Sequence, residues 1–277
     1  MKKPVLSLLS ATLFMTLSAA SMAVPVLPEP IKSRGELVAA IMPNYPPMEF
    51  KDPATNQLTG VDYDLGNAIA KKLGVTIKWQ EISFEQMINA VKTKRVDLIM
   101  SGMSDTAERQ KVISFIDYLT SGPQFYTLVS RNDISAQADL CGKKVGSSRR
   151  TDFPAKITEW SQKNCVAAGK PAINVVGTEG TADARAQLRQ RRLDAVVQGS
   201  ETLPYIMQLE KNTYKPLGTA FTQQYTGLGL PKDNPQLIAA IQGALDELIA
   251  DGSYQAILKK WGLNDGAVEK AAVNQGK

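Results

Sequence analysis

The chemistry open to this chain is bounded first by a residue type it lacks. It has 277 residues and no His. Without imidazole there is no Ser-His-Asp triad, no Cys-His pair and no zinc helix built on two His. Two Cys, Cys141 and Cys165, are too few for a four-thiolate metal site. No metal and no cofactor are therefore expected. Carboxylate, Lys, Tyr or Ser chemistry remains, or recognition without catalysis. Gly102-Met103-Ser104-Asp105-Thr106 lacks the second Gly of a nucleophile elbow. Gly142-Lys143-Lys144 lacks the upstream Gly and the Ser/Thr of a phosphate-cradling loop.

The elements that must carry any site alternate between strand and helix patterns. Gly35 to Met42, Thr76 to Ile82 and Val96 to Met100 read as strands. Asp62 is a candidate N-cap for a helix with Leu65, Ala68, Ile69 and Leu73 on one face. Ser83 and Gln86 have capping-box spacing ahead of Met87, Ile88 and Val91. After Arg131, strands are expected at 144–147, 173–177 and 193–197, with helices at 152–164, 181–191 and 201–210. A last strand at 226–230 precedes a helix capped by Asn234, with Pro235 at its first position. The polar tail after Asn264 is expected to fray. This alternation is α/β, and the length suits two lobes better than one core.

The N-terminus reads as a secretory leader. Lys2 and Lys3 form a positive n-region, Val5 to Leu17 is apolar, and Ser21-Met22-Ala23 is a small-x-small cleavage site. The apolar run is shorter than the roughly 20 residues that span a bilayer. Cleavage after Ala23 would leave 254 of the 277 residues as an exported, periplasmic chain. Removing Lys2 and Lys3 leaves 30 basic against 27 acidic residues, so the formal charge drops from +5 to +3. That excess is not clustered, and nucleic acid is not an expected partner. Export into an oxidising compartment favours a Cys141–Cys165 disulfide over two free buried thiols. Closing that loop would stabilise the fold by roughly 3.5 kcal/mol.

Four segments in order resemble the periplasmic polar-amino-acid-binding proteins of ABC importers. They are Gly60-Val61-Asp62-Tyr63-Asp64-Leu65, the run from Asp97 to Arg109 (DLIMSGMSDTAER), Leu140-Cys141-Gly142-Lys143-Lys144-Val145-Gly146, and the run from Asp246 to Tyr254 (DELIADGSY). The resemblance spans nearly all of 33–262. It implies a two-lobe Venus-flytrap fold: lobe 1 from 24–129 with 224–277, lobe 2 from 130–223, and two hinge crossovers near Val129–Arg131 and Gln223–Tyr225. It also implies a monomer that takes an amino acid or related carboxylate in its cleft and delivers it to an inner-membrane permease.

By the same resemblance, Arg109 holds the ligand carboxylate, helped by the Gly102 N–H, Ser104 and, from lobe 2, Thr151. A guanidinium fork suits that partner; the alternative for Arg109 is a surface pair with Glu108 or Asp105. Tyr45 and Phe84 match positions that sandwich the ligand side chain; the alternative for Phe84 is packing on its helical stripe with Met87 and Val91. Two positions depart from the pattern. Where the family usually presents an Asp to the ligand ammonium, this chain has Gly199-Ser200-Glu201. Either Glu201 substitutes, or the ligand has no α-ammonium and Glu201 is a solvated first-turn acid. Where the family usually has Gly, this chain has Arg150, which could aim a second cation at the cleft. Two ligands follow: a zwitterionic amino acid using Glu201, or an acidic amino acid or another carboxylate using Arg150. Met42 replaces an acid found in several basic-amino-acid binders, which disfavours Lys or Arg. The rival function is a cyclohexadienyl-dehydratase-like enzyme, with Glu201 or Glu179 as its acid.

Overall fold

Strands buried on both faces need helices on both sides, and that requirement organises the chain. The computed structural model describes residues 26–277, so the leader and its cleavage site lie outside the described residues. In the first lobe, the strand Glu36–Ile41 runs parallel to Thr76–Glu81 on one side and to Leu98–Ile99 on the other. Gln224–Leu230 adds antiparallel to Leu98–Ile99, and Ser114–Ser121 adds antiparallel beyond it. Side chains alternate across this sheet. Leu37 and Ala39 face the helices Val61–Lys72, Pro235–Ala250 and Ser253–Trp261, whereas Ala40 and Ile99 face Phe84–Lys92.

The second lobe repeats the plan. Lys144–Ser148 lies between the parallel strands Asn174–Thr178 and Ala195–Gly199. Pro123–Leu128 and Tyr214–Pro216 complete the sheet antiparallel. Ala195 and Val197 pack with the helix Phe153–Asn164, while Val196 packs with Ala184 and Leu188 of Thr181–Arg189. Cys141 and Cys165 form a disulfide with Cα atoms 5.5 Å apart. It ties the turn ahead of Lys144 to the end of the Phe153–Asn164 helix, and the free-thiol alternative falls.

Two expectations are corrected. The first crossover is not near Val129–Arg131. Ser114–Ser121 pairs in the first sheet and Pro123–Leu128 in the second, so the chain changes lobes at Gly122. A side chain there would strike the Thr222 carbonyl of the returning segment, which brings the two crossovers into contact at a residue without one. The chain returns between Pro216 and Gln224. Nor is the tail frayed. Ala272–Val273 pairs with Ser114–Ser121. Gln275 N–H donates to Asp117 Oδ2 at 3.0 Å and Gly276 N–H to Asp105 Oδ2 at 2.7 Å. Two buried acids thus hold a polar segment through its backbone.

Asp117 is 1% exposed, and burial, with Asp105 beside it, pushes its carboxyl up to about 7. A raised acid binds more protons folded than unfolded, so its contribution is full at acid pH and is lost as pH rises through about 7. The melting temperature should therefore fall from pH 5 to pH 8, and Asp117→Asn should flatten that slope. An unchanged slope in the variant would refute the assignment.

Candidate ligand-binding site

In open α/β sheets the loops at the carboxyl ends of parallel strands form the ligand crevice. Here both lobes aim those ends at one cleft. From lobe 1, Glu36–Ile41 leads to Met42 and Tyr45, Thr76–Glu81 to Phe84, and Leu98–Ile99 to Ser101, Gly102 and Ser104. From lobe 2, Lys144–Ser148 leads to Arg150, Thr151 and Asp152, and Asn174–Thr178 to Glu179. The cleft is lined from both lobes, with apolar walls from Met42, Tyr45 and Phe84 and charged groups from Arg109 and Asp152.

Arg109 lies on the short helix Ala107–Gln110, whose N-cap Thr106 accepts from the Arg109 N–H. Its Nη1 donates to the Ser104 carbonyl at 2.7 Å, and its guanidinium stands 5.5 Å from the Phe84 ring centre. No carboxylate among the described residues comes within ion-pair distance of it. Glu108 pairs with Lys111, and Asp105 takes Gln110 and the tail, so the surface-pair alternative fails. Burial pulls Arg109 below the ordinary arginine range, and Asp152 and then Asp105 oppose that shift. The result is a half-buried cation over an aromatic face with most of its fork still to be paired.

Comparison with known proteins agrees with the two-lobe fold. The profile of the bacterial extracellular solute-binding proteins, family 3, matches residues 37–264. The chain belongs to that family. It is 29% identical to the arginine-binding protein ArgT of Corynebacterium glutamicum, over 90% of this chain and 82% of that protein. It is 30% identical to the histidine-binding periplasmic protein of Salmonella typhimurium, over 94% of this chain and 97% of that one. The structure of an ancestral arginine-binding protein bound to arginine superposes with a TM-score of 0.72 at 32% identity, covering 82% of this chain and 98% of that one. The two-lobe fold expected from the sequence is therefore the family's.

Among the residues expected at the site, Tyr45, Phe84, Gly102, Ser104, Arg109, Arg150 and Thr151 line the one cleft. Three of them do something other than expected. The Gly102 N–H is not free for a carboxylate, because it donates to Asp62 Oδ2 at 2.6 Å. Asp62 is not the helix cap either; Gly60 is, and Asp62 is fully buried with Tyr118 Oη donating to its other oxygen at 2.6 Å. Thr151 Oγ1 donates to the Ser148 carbonyl at 2.9 Å, which closes its own loop. Arg150 is not a free second cation. Its Nη2 meets Glu179 at 3.1 Å, and its Nε reaches across the cleft to Glu85 of lobe 1 at 2.5 Å. Glu179 is shared with Arg149. These charges cancel within the protein.

Glu201 departs furthest from expectation. It does not line this cleft. It is buried behind Tyr45, whose hydroxyl donates to Glu201 Oε1 at 2.9 Å and accepts from the Gly199 N–H at 3.2 Å. A side chain at Gly199 would lie 2.5 Å from both Glu201 Oε2 and Tyr45 Oη. The Glu201 carboxyl therefore fills the space of the missing side chain, but it is tied to Tyr45. Burial raises it above the usual carboxylate range, and the Tyr45 hydroxyl opposes that shift.

Sequence reasoning missed Glu49 and Asp152. Glu49 lines the cleft at 2% exposure and accepts from the Ser101 hydroxyl at 2.7 Å. Burial and the neighbouring Asp62 push it well above the carboxylate range. An acid between Met48 and Phe50 was the signal. Asp152 was masked by its place at the start of the helix expected over 152–164.

The Arg150–Glu85 ion pair spans the lobes and is partly exposed. A double-mutant cycle of Arg150→Gln and Glu85→Gln, read in ligand affinity, should return a coupling of about 0.5 kcal/mol that shrinks in high salt. No coupling at low salt would mean that the pair does not support the closed form.

Proposed function

We propose that this protein is the periplasmic receptor of an ABC importer, capturing an amino acid by closure of its lobes and presenting the closed form to an inner-membrane permease. The observation that carries the reading is Arg109, a half-buried guanidinium in the cleft with no carboxylate of its own. A cation in that state favours an anion from outside, and its fork matches a carboxylate. Contacts from Tyr45 to Gly199 and Glu201, and from Arg150 to Glu85, join the lobes across the cleft. Ligand that bridges the lobes biases this arrangement over an open one. Micromolar capture corresponds to about −8 kcal/mol, within reach of two or three charge-assisted bonds and stacking on Phe84 and Tyr45.

The acidic-ligand alternative loses its support, because Arg150 is neutralised by Glu85 and Glu179. Neither acid considered for the dehydratase stands free in the cleft: Glu201 is held by Tyr45, and Glu179 by Arg149 and Arg150.

Arg109→Ala should weaken amino-acid binding by about 30-fold or more, the lower range for removing one partner of a buried charge pair. Its unliganded melting temperature should stay near that of the parent. Arg109→Lys should also bind poorly, because an ammonium lacks the planar fork. Calorimetric titration checks both, and near-normal affinity in Arg109→Ala would remove the carboxylate assignment.

A further inference from the structure

The family's ammonium-binding Asp is absent at Gly199, and Glu201, the substitute two residues on, is turned away behind Tyr45. We infer that Asp152, on the neighbouring loop of lobe 2, is the acid that receives the ligand's cationic nitrogen while Arg109 receives its carboxylate. This rests on the amino-acid reading above and adds a residue and a polarity to it.

Four observations carry it. Asp152 lines the cleft with Arg109 and is its leading source of opposing charge, yet the two make no ion pair. Asp152 is the residue before the Phe153–Asn164 helix, but its side chain makes no cap bond to that helix. An Asp in that position ordinarily accepts from the first turn, so its carboxylate is oriented by something else. That something is Gln224, whose Nε2 donates to Asp152 Oδ2. Lastly, Asp152 Oδ1 is buried and has no hydrogen-bond partner among the described residues. A buried carboxylate oxygen without a donor is costly, and a ligand ammonium would satisfy it.

The other acids near the cleft are less suited: Glu49 Oε2 and Glu201 Oε2 are also buried without a partner among the described residues, but Glu49 belongs to the same lobe as Arg109 and Glu201 does not line the cleft. Glu49 takes the Ser101 hydroxyl and lies against Asp62, Glu201 takes Tyr45, Glu179 takes Arg149 and Arg150, and Glu85 takes Arg150. Arg109 from lobe 1 and Asp152 from lobe 2 thus form a pair of opposite charges held apart. A zwitterion fits between them with its carboxylate toward Arg109 and its ammonium toward Asp152. Each half of the ligand then completes a different lobe, which couples recognition to closure. Gln224 strengthens the coupling, because it opens the strand that returns from lobe 2 to lobe 1 and sets the orientation of Asp152 from the hinge.

The test is calorimetric titration of the parent, Asp152→Asn, Asp152→Ser and Glu201→Gln. The probes are the proteinogenic L-amino acids and L-cystine, followed by the desamino analogue of whichever binds. The expected result is that both Asp152 variants keep their unliganded melting temperature and lose about 30-fold or more in affinity for the amino acid. The desamino analogue, which has a carboxylate and no ammonium, should bind the parent and the Asp152 variants alike or prefer the variants. Equal amino-acid affinity in the parent and in a folded Asp152 variant would overturn the inference alone. So would a larger loss in Glu201→Gln than in both Asp152 variants. A parent that binds no amino acid would instead overturn the amino-acid reading, and this inference with it.

Discussion

A guanidinium drawn partly out of water and left without a carboxylate is the constraint on which the rest of this structure depends. Moving such a charge away from solvent is unfavourable unless hydrogen bonds and an opposite charge replace the lost water. The protein supplies part of the replacement. The Ser104 carbonyl accepts one N–H, and the Phe84 ring offers its face. The acids next to Arg109 in sequence are diverted: Glu108 to Lys111, Asp105 to Gln110 and the C-terminal segment. The remaining donors of the fork stay available to a ligand.

The fold makes this arrangement possible by placing functional groups where backbone geometry already converges. Parallel strands in both lobes end at the same cleft, so short loops suffice to bring Tyr45, Phe84 and Arg109 opposite Arg150, Thr151 and Asp152. Rigid elements then hold each loop. The buried Asp62 carboxylate ties Gly102 to Tyr118, and the tail fixes Asp105. Charges that would compete for ligand are neutralised in pairs, most clearly Arg150 between Glu85 and Glu179. The polarity of the cleft therefore reduces to a few groups rather than to the net charge of the chain.

Much of this was legible from local pattern. Asn234 caps the Pro235–Ala250 helix through the Leu237 N–H as its position suggested. The paired Cys, the strand-end position of Arg109 and the aromatic positions Tyr45 and Phe84 were visible for the same reason: each depends on near neighbours or on a family pattern. What escaped depends on contacts distant in sequence. The strand Ser114–Ser121 carries Asp117 in its middle, and only the tail explains why an acid can be buried there. Nothing local marks Gly122 as the lobe crossover, which was expected near Val129–Arg131. Asp62 had the local appearance of a helix cap, but its partners are Gly102 and Tyr118. Arg150 looked like a ligand cation because Glu85 lies far away in the chain. Asp152 passed for the first residue of an expected helix, because Gln224, which holds it, lies further still.

Completion of the Arg109 guanidinium by a ligand carboxylate is open to direct observation. Nitrogen-15 NMR of the Arg109 side chain, recorded with and without a bound amino acid, tests it most directly. The Arg109 Nη–H resonances should shift on binding and become protected from exchange with water, as paired guanidinium protons must. A saturating amino acid that leaves those resonances unmoved and freely exchanging would contradict it.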